Sequence, residues 1–366
     1  MAEQGARPNV PRVRRRILRA ARALTTPLLP DDYLELVNPL WSTRELRGRV
    51  ERLKPETADA VTIEIRPGHE WPGHVAGQYV RVGFDIDGVR HWRAYSLTSE
   101  PGRPDGFISI TPKLLESGKV TPFVHRELKP GALVFLSDVE GQFVLPDPPP
   151  EKLLFISAGS GITPIMSMLR SLDRRGAVRD VVHLHSSRTP EDVVFGDELR
   201  ALQGRHEGLR LYERHTSRQG RMGPEDLDEL CPDWRDRETF ASGPGALLDA
   251  LSDHFDRHGD CDRLHMERFQ PVIGGDGAAE GEGGTITFLK SGCEVEGPGD
   301  QPILVSGEEA GLELPFGCRM GICHTCVGRF KSGKVRDLRS GEVSEVEGVV
   351  CRTCVNAPEG PVEIEL

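Results

Sequence analysis

The sequence predicts a multidomain protein: an antiparallel β-barrel, then an α/β domain with a parallel sheet, then a small cysteine-rich C-terminal domain. Three observations predict this fold class. Short strand-like runs with frequent turns fill residues 46–147. Strands spaced by helical segments fill residues 150–265. Five of the eight cysteines fall between positions 318 and 354. Pro-rich and Gly-rich stretches separate the three regions, as is typical of domain boundaries.

Length and composition set the class of protein. The 366 residues suffice for two or three domains. Hydrophobic and charged contents of 37% and 28% are those of an ordinary globular protein, and no run approaches the ~20 apolar residues that a transmembrane helix needs. The N-terminus lacks the apolar region of a secretory signal, so we expect a cytoplasmic protein. The net charge of −11 argues against nucleic-acid binding.

The N-terminal extension, residues 1–45, is basic. Its first thirty residues carry seven arginines against one acidic residue, Glu3. Apolar residues recur between the arginines at near-helical spacing. They are Val13, Ile17, Ala21, Leu24 and Leu28. Such a helix either packs on the next domain or lies on an anionic membrane surface, so the pattern leaves peripheral membrane association open.

Residues 46–148 form the predicted β domain. The runs have alternating apolar residues and are bounded by turn residues, which predicts a small antiparallel barrel or sandwich. Asp87-Gly88, between two such runs, indicates a two-residue hairpin. The Pro-rich stretch 147–150 breaks the pattern and marks the end of the domain.

Residues 149–269 form the predicted α/β domain. A buried strand at 152–157 precedes a glycine turn and a helical run at 165–172. Further strands are predicted at 180–185 and 238–242. Strands separated by helices indicate a parallel sheet, because parallel neighbours need a crossover connection.

Residues 270–284 are Gly-rich, acidic and aperiodic, which predicts a flexible tether. The last domain, residues 285–366, opens with a hairpin-like run and contains the cysteine cluster. This domain carries thirteen acidic residues against eight lysines and arginines. Its negative charge is either ordinary solvated surface or a feature that steers the domain towards a basic partner.

The spacing Cys318-x4-Cys323-x2-Cys326, followed by a distant fourth cysteine, is that of a plant-type 2Fe–2S cluster. Gly317 and Gly321 allow the loop to turn tightly and bring backbone N–H groups towards the sulfur atoms. Zinc sites prefer two close cysteine pairs, so this triplet favours iron and sulfide over zinc.

Two cysteines, Cys351 and Cys354, are candidates for the fourth ligand on spacing alone. His324 lies between two ligands, as in mixed histidine–cysteine clusters, but four cysteines are already present, which favours a surface or supporting histidine. The remaining cysteines are scattered and are expected to be free thiols in a reducing cytoplasm. They are Cys231, Cys261 and Cys293.

The β domain contains Arg93-Ala-Tyr95-Ser96 at a predicted strand end, preceded by Gly77-Gln78-Tyr79. A dinucleotide-type α/β domain follows. This arrangement resembles the ferredoxin-NADP reductase superfamily, whose flavin motif is Arg-x-Tyr-Ser. The resemblance implies that Arg93 pairs with a flavin phosphate and that Tyr95 lies against the ribityl chain and ring. It also implies that Ser96 is a catalytic residue near the flavin N5 atom.

A second element of this resemblance is Gly118-Lys-Val-Thr121. It implies a helix N-terminus, with the Thr121 hydroxyl as its cap and Gly118 beside it, that holds a pyrophosphate. A pyrophosphate favours FAD over FMN as the flavin.

The glycine turn of the α/β domain reads Gly159-Ser-Gly161-Ile-Thr163-Pro164. It follows a strand and opens a helix, and Pro164 suits a first helical turn. The glycines allow phosphate oxygens to approach the helix N-terminus. The superfamily resemblance assigns this turn to the pyrophosphate and nicotinamide of NAD(P)H.

Ser242-Gly243-Pro244 stands where many superfamily members have Cys-Gly-Pro. The resemblance places Ser242 beside the nicotinamide as a catalytic residue, with Gly243 and Pro244 in the coenzyme site. Arg188 follows the second strand of the α/β domain, and further arginines follow the next. An arginine near the adenosine ribose favours NADPH over NADH as the electron donor.

The stretch Cys354-Val-Asn-Ala-Pro358 resembles the end of plant-type ferredoxins, where the last ligand is followed by proline and a final strand. The resemblance therefore implies ligation by Cys318, Cys323, Cys326 and Cys354. It also implies a β-grasp fold for the last domain.

The order of flavin, NAD(P) and ferredoxin domains resembles the phthalate dioxygenase reductase type, and most closely the actinobacterial reductases of fatty-acid desaturases. The resemblance implies an enzyme that moves electrons from NAD(P)H to FAD, to the 2Fe–2S cluster and to an external redox protein. The acceptor is expected to be a membrane desaturase; the alternatives are a Rieske ring hydroxylase or a cytochrome P450 system. A redox sensor is a further alternative.

Overall fold

The computed structural model describes residues 35–116, 118–269, 281–312, 314–316, 321 and 325–366. The predicted helix with the N-terminal arginines and most of the predicted tether lie outside the described residues. The multidomain fold class is confirmed: an antiparallel sheet, a parallel sheet and a mixed C-terminal sheet follow one another. None of the described helices is both long and apolar enough to cross a bilayer.

The first sheet has six strands in the order β4-β3-β6-β1-β2-β5. The strands are β1 (Arg47–Thr57), β2 (Ala60–Pro67), β3 (Tyr79–Ile86), β4 (Val89–Ser96), β5 (Ile108–Ile110) and β6 (Leu133–Glu140). A bridge between Leu97 and Ile110 joins the two outer strands and closes the sheet. Asp87 and Gly88 both have positive φ, 52° and 78°, as the predicted hairpin requires.

The second sheet is parallel, in the order β11-β10-β7-β8-β9. Its strands are β7 (Lys152–Ala158), β8 (Asp180–Ser187), β9 (Leu209–His215), β10 (Glu238–Gly243) and β11 (Leu264–Arg268). The chain changes direction across the sheet at β7, because β8 lies on one side and β10 on the other. In open α/β sheets, ligands bind at such a switch point, outside the carboxyl ends of the strands.

Short helices connect the strands. They are α1 (Val120–Arg126) in the barrel and α2 (Ile162–Arg174), α3 (Gly196–Arg205), α4 (Thr216–Gln219), α5 (Asp226–Leu230) and α6 (Gly245–His258) in the α/β domain. Helix α2 buries Ile165, Met168 and Leu172 in a core that also contains Phe143 and Leu145 from the end of the barrel domain. The two domains therefore share apolar core.

The C-terminal domain has a mixed sheet, in the order β13-β12-β19-β14-β17, and a small sheet, β16-β15-β18. Its elements are β12 (Gly284–Phe288), β13 (Cys293–Gly297), α7 (Ile303–Glu309), β14 (Val327–Ser332), β15 (Lys334–Asp337), β16 (Val343–Glu345), β17 (Val350–Arg352), β18 (Asn356–Pro358) and β19 (Val362–Ile364). Ile303 of α7 packs with Phe288 and Phe330, so the sheet holds the helix against its core. β12 begins at Gly284, the last residue of the predicted tether.

Candidate functional site

The flavin motif forms one wall of a crevice. Arg93, Tyr95 and Ser96 end β4, and Ser96 lies opposite Tyr79 of β3. Ser96 is buried. The Tyr95 hydroxyl is also buried and has no hydrogen-bond partner within the described parts of the chain. Burial raises the pKa of Tyr95 above its usual value. Because buried polar atoms are almost always paired, this hydroxyl indicates that a ligand supplies its partner.

The Arg93 side chain lies close to the same strand end. Its Nη1 donates to the Trp92 carbonyl at 2.7 Å, and the side chain remains partly exposed. A guanidinium carries five donors, so this contact leaves others available for a phosphate.

Gly118 and Thr121 lie together on one turn. The Thr121 hydroxyl accepts from the Leu115 N–H at 2.9 Å, and the Gly118 N–H donates to the Leu115 carbonyl at 2.9 Å. The expectation that Thr121 caps the helix is wrong, because α1 is preceded by Lys119 and has no side-chain cap. The Thr121 hydroxyl instead closes the turn that precedes the helix.

The glycine turn after β7 forms the opposite wall. Gly159 has a φ of 55°, in the left-handed region. A Cβ on Gly161 would lie 2.1 Å from the Ser242 carbonyl oxygen, so only glycine allows the turn to touch β10. Thr163 donates to the Ser160 carbonyl at 2.9 Å, and Pro164 lies in the first turn of α2, as predicted.

Ser242 lies at the end of β10, on the same side of the sheet edge as the glycine turn. It is completely buried, and its hydroxyl has no partner in the described structure. Gly243 follows, where a Cβ would lie 3.2 Å from the Ala158 Cβ. The Pro244 carbonyl then accepts from the Leu248 N–H at 3.2 Å as α6 begins. The structure therefore brings the two predicted nicotinamide segments into contact.

Glu267 of β11 is a site residue that the sequence reasoning missed. It lies opposite Ser242 in the parallel register. Its Oε2 atom is buried and unpaired in the part of the chain that is described, and burial raises the pKa of Glu267 to about 8. The available signal was a carboxylate within the short strand Leu264–Arg268, and the burial of its oxygen could not be seen from the sequence.

The two walls are electrostatically coupled. Tyr79 donates to the Glu140 carboxylate at 3.0 Å. Burial first, then the negative charges of Glu140 and Glu267, raise the pKa of Tyr79. Tyr79 belongs to the barrel and Glu267 to the parallel sheet, so the walls meet closely enough for their charges to interact.

Helix α2 joins both motifs. Ser167 donates to the Ser99 carbonyl at 2.7 Å, Arg170 to the Thr98 carbonyl at 2.6 Å and Arg174 to the Pro101 carbonyl at 3.0 Å. These three side chains lie on one face of the helix. They hold the segment after the flavin motif, while the first turn of the same helix follows the nicotinamide loop.

Arg188 lies at the carboxyl end of β8 and is exposed. Its carbonyl accepts from the Ser217 N–H at 3.1 Å, which brings α4 and Arg218 towards the same edge. Arg188 is therefore at the sheet edge where a parallel α/β sheet receives its ligand.

Two of the four predicted cluster ligands, Cys326 and Cys354, lie together. Both are buried in a small core with Leu304 and Val355. The Gly321 N–H donates to Cys354 Sγ at 3.2 Å. This is the kind of backbone contact that stabilises a thiolate ligand.

The other predicted ligands, Cys318 and Cys323, and also Gly317 and His324, lie outside the described residues. Within the residues described, no three metal-ligating side chains come together. Cys351 is half-buried in β17, opposite Gly328. Cys231, Cys261 and Cys293 are free thiols, as predicted.

The described residues fit the three implied groups. The unpartnered Tyr95 hydroxyl fits a flavin, and the glycine turn at β7 fits a dinucleotide. At Gly321 the φ is 69°, and a Cβ would lie 2.9 Å from a Val355 methyl, so the loop passes Cys354 as closely as a cluster loop must. Fold and site together define a flavin- and iron–sulfur-dependent NAD(P)H oxidoreductase.

Comparisons with known proteins agree with this class. Three domain-family profiles match the chain: an oxidoreductase FAD-binding domain over residues 59–144, an oxidoreductase NAD-binding domain over 155–241 and a 2Fe–2S iron-sulfur cluster binding domain over 286–359. FAD, NAD(P)H and a 2Fe–2S cluster are therefore its cofactors. The chain belongs to the ferredoxin-NADP reductase-like family of reductases that carry a C-terminal 2Fe–2S domain.

Relatives match this chain over most of its length and over most of their own length. An NADPH oxidoreductase of Mycobacterium tuberculosis is 46% identical over 349 residues, covering 94% of this chain and 91% of the relative. A glycine betaine monooxygenase reductase subunit of Pseudomonas aeruginosa is 30% identical, covering 79% and 86%. The solved structure of phthalate dioxygenase reductase is 22% identical, with a TM-score of 0.59, and covers 88% of this chain and 98% of that chain. The last comparison shows the shared fold.

Proposed function

We propose that this chain takes electrons from NADPH on FAD, transfers them singly to a 2Fe–2S cluster held by Cys318, Cys323, Cys326 and Cys354, and delivers them to a separate oxygen-activating protein. When bound, FAD would supply the conversion of a two-electron donation into single-electron transfers, and the cluster would supply a one-electron carrier. The observation that carries the proposal is the set of buried polar atoms without partners in the described structure, on the barrel side in Tyr95 and at the edge of the parallel sheet in Ser242 and its neighbour Glu267.

Each wall has a proposed task. Arg93, with Gly118 and Thr121, holds the phosphates of FAD, and Tyr95 orients the flavin. Ser96 and Ser242 hydrogen-bond near the reacting atoms from opposite walls. Glu267, which is protonated at neutral pH according to its raised pKa, can donate a hydrogen bond at the same place. Burial excludes water from the reacting atoms.

A coenzyme preference for NADPH is part of the proposal. Arg188 lies exposed at the carboxyl end of β8 and can pair with a 2′-phosphate. Arg188→Leu should raise the KM for NADPH and leave the KM for NADH nearly unchanged, whereas an equal effect on both would contradict the role. The same substitution at Arg210, which is exposed near the opposite end of β9 in a pair with Asp180, serves as the control.

The cluster ligands are tested by iron content. Cys354→Ser should abolish the visible absorption and the EPR signal of the cluster, and Cys351→Ser, three residues earlier, should leave both unchanged. Cys354→Ser should also end cytochrome c reduction while NADPH-dependent ferricyanide reduction by the flavin continues. Full iron content in Cys354→Ser would overturn the assignment. Poor steady turnover of the intact protein with both acceptors would favour a redox sensor.

The nicotinamide wall is tested by flavin reduction. Ser242→Ala and Ser96→Ala should each slow the reduction of bound FAD by NADPH in stopped-flow measurements by about tenfold, the equivalent of one hydrogen bond of about 1–1.5 kcal/mol. Ser171→Ala, on a buried part of α2 outside the crevice, should have no effect. Unchanged rates in both crevice variants would contradict their roles.

For the acceptor we propose a membrane fatty-acid desaturase. The relatives named as monooxygenase reductase subunits support an oxygen-activating acceptor in general. The N-terminal arginines support a membrane location, at the cytoplasmic face, through attraction to anionic lipid. A Rieske oxygenase or a cytochrome P450 is the alternative acceptor.

Exposed apolar residues in the described part of the N-terminal extension support the membrane location. Leu36 and Val37 are 79% and 74% exposed, and Trp41 is 44% exposed. Glu35 pairs with Arg47 at 3.1 Å, and Leu40 is buried, so the segment is held on the barrel while these side chains face outwards. Tryptophan and leucine are suited to the lipid interface.

Vesicle binding tests this location. The intact protein should sediment with vesicles containing phosphatidylglycerol and remain in solution with phosphatidylcholine alone. Replacing the seven arginines of the first thirty residues by glutamine should abolish sedimentation without affecting ferricyanide reduction. Vesicle binding that survives this replacement would contradict the proposal. Val89→Ser removes an exposed apolar side chain from a hairpin of the same barrel and is the control for surface apolarity.

A further inference from the structure

Three consecutive residues, Arg352, Thr353 and Cys354, hold the loop that contains Gly321 and Cys326. The Arg352 Nη1 donates to the Gly321 carbonyl at 2.7 Å. The Gly321 N–H donates to Cys354 Sγ at 3.2 Å. The Thr353 N–H and hydroxyl both donate to the Cys326 carbonyl at 2.8 Å. Arg352 and Cys354 therefore fix the two peptides that flank Gly321.

A second guanidinium lies at the same place. A Cβ built on Gly321 would be 3.0 Å from Arg339 Nη1, so this cation lies against the loop. Asp337 accepts from Arg339 Nε at 2.9 Å and from the Arg339 N–H at 2.9 Å. Arg339, and to a smaller extent Arg352, lowers the pKa of the Asp337 carboxyl. Two cations and one anion thus surround Gly321 and Cys354.

Arg352 is half-buried, and no carboxylate accepts a hydrogen bond from it among the described residues. Arg339 is largely neutralised by its two-point contact with Asp337. Among the described residues, the guanidinium at this loop that no carboxylate neutralises by a hydrogen bond is therefore that of Arg352. A partly buried charge is screened less by solvent than a surface charge, so its field reaches the sulfur atoms.

We propose that Arg352 is a positioning residue that raises the reduction potential of the 2Fe–2S cluster, both by its charge and by holding Gly321 so that its N–H points at Cys354 Sγ. The inference rests on the proposed ligation by Cys326 and Cys354. Reduction adds one electron and changes no covalent bond, so a fixed positive charge favours the reduced form. Net charge and hydrogen bonds to sulfur are among the factors that set such potentials.

Asp337 has the opposite effect on the same site. Its carboxylate reduces the field of Arg339 at Gly321, so neutralising Asp337 exposes that cation. The arrangement predicts opposite shifts for two neighbouring substitutions, a result that general loosening of the domain would not give.

The test is an EPR-monitored redox titration of the intact, loaded protein. Arg352→Gln should decrease the equilibrium constant for one-electron reduction of the cluster by about tenfold, or about 59 mV for a one-electron couple. Arg352→Lys should retain most of the wild-type potential, because it keeps the charge. Asp337→Asn should shift the potential upwards. Lys290→Gln removes the same charge from the exposed β12–β13 turn and should leave the potential unchanged.

An Arg352→Gln potential equal to that of Lys290→Gln overturns the proposal, as does a downward shift in Asp337→Asn. If Arg352→Gln does not assemble a cluster, the upward shift in Asp337→Asn and the retained potential of Arg352→Lys still decide the matter. Failure of the ligation itself is distinguishable, because Cys354→Ser would then keep its iron.

Discussion

Three residues of the candidate site have buried polar atoms without hydrogen-bond partners in the described structure. Tyr95, Ser242 and Glu267 each have a buried polar atom with no hydrogen-bond partner in the described structure. Leaving such an atom unpaired costs about 1–3 kcal/mol. Three unpaired polar atoms in one site are best explained by ligands that supply their hydrogen-bond partners. The folded protein is therefore stabilised when its cofactor and coenzyme bind.

The ionisation of Glu267 leads to a prediction on pH. Burial raises its pKa from 4.5 to about 8. The folded state therefore keeps a proton that the unfolded state releases, so the stability contributed by this group is complete below about pH 4.5 and is lost as the pH rises towards 8. Thermal unfolding between pH 4.5 and 8.5 should show a smaller loss in Glu267→Gln, which cannot ionise.

Glu213 of β9 carries a carboxylate that pairs with Arg200 of α3, so Glu213→Gln is a matched control for that measurement. Parallel melting curves for the wild type and Glu267→Gln would show that Glu267 is ionised in the folded protein. The crevice would then hold a carboxylate instead of a hydrogen-bond donor.

At the level of elements, strands β7 and β8 share a buried polar group. The Ser157 hydroxyl contacts His183 Nε2 and His185 Nδ1, each at 2.8 Å. All three residues are completely buried. One hydroxyl can donate to one ring and accept from the other, so the ring that accepts must be neutral. The second nitrogens, His183 Nδ1 and His185 Nε2, are buried without a partner in the described structure, which also disfavours protonation of the rings.

Acid should therefore destabilise this part of the parallel sheet. Burial, followed by the charge of His215, lowers the pKa of His185 to about 3, and burial also lowers the pKa of His183. The stability contributed by the neutral rings is complete above about pH 6.5 and is lost as the pH falls towards 3. Combining Ser157→Ala with His183→Leu and His185→Leu should flatten the fall in unfolding free energy, measured in urea from pH 7 to 4.

The exposed His258 provides the control, because His258→Leu should leave the acid dependence unchanged. If the triple variant lost as much unfolding free energy in acid as the wild type, the acid dependence would not come from the buried histidines of β8 and Ser157 of β7.

Helix α2 carries the contact between barrel and parallel sheet, and Arg170 is its principal side chain. Arg170 donates to the Thr98 carbonyl at 2.6 Å and makes a two-point contact with Glu198 at 2.8 and 2.6 Å. Its side chain is only 17% exposed. Arg170→Met should lower the free energy of unfolding in urea by about 2 kcal/mol, because hydrogen bonds to charged groups contribute about 1.5–3 kcal/mol.

Arg175→Met removes a guanidinium one residue after α2, where the pair with Asp147 is exposed. Surface pairs contribute about 0–1 kcal/mol, so this variant should unfold almost like the wild type. Equal destabilisation by the two substitutions would show that Arg170 does not join the domains.

At the scale of the whole molecule, charge is distributed unevenly along the chain. The last domain has thirteen acidic residues against eight lysines and arginines, and the first thirty residues carry seven arginines. Glu342, Glu345 and Glu347, near β16, are exposed. An acidic domain should attract a basic acceptor by long-range electrostatics, which salt screens.

This distribution predicts a salt dependence. The kcat/KM for the basic acceptor cytochrome c should fall several-fold between 20 and 300 mM NaCl, because steering weakens as the Debye length shortens. The anionic acceptor ferricyanide should show no such fall. Combined Glu342→Gln, Glu345→Gln and Glu347→Gln should reduce the slope for cytochrome c, and an unchanged slope would remove these residues from the docking surface.

The sequence determined the order of the domains and the identity of most site residues. Hydrophobic alternation and helical spacing are local properties, so they separated the barrel from the parallel sheet. The cluster spacing, the glycine turn at 159–161 and the hairpin at Asp87 are also local, because each needs a particular residue within a few positions. Thr121 shows the limit of this reasoning, since its hydroxyl bonds backwards to Leu115 and does not cap the helix.

Only the tertiary structure decided which distant residues meet. Gly161 touches Ser242 because β10 pairs with β7, which lies three strands earlier in the sequence. Glu267 lies beside Ser242, with a buried carboxylate oxygen, because β11 adds to that edge of the sheet. Arg352 reaches Gly321 because β17 folds back along β14. Strand order and domain packing create these contacts, and neither leaves a periodic or short-range trace in the chain.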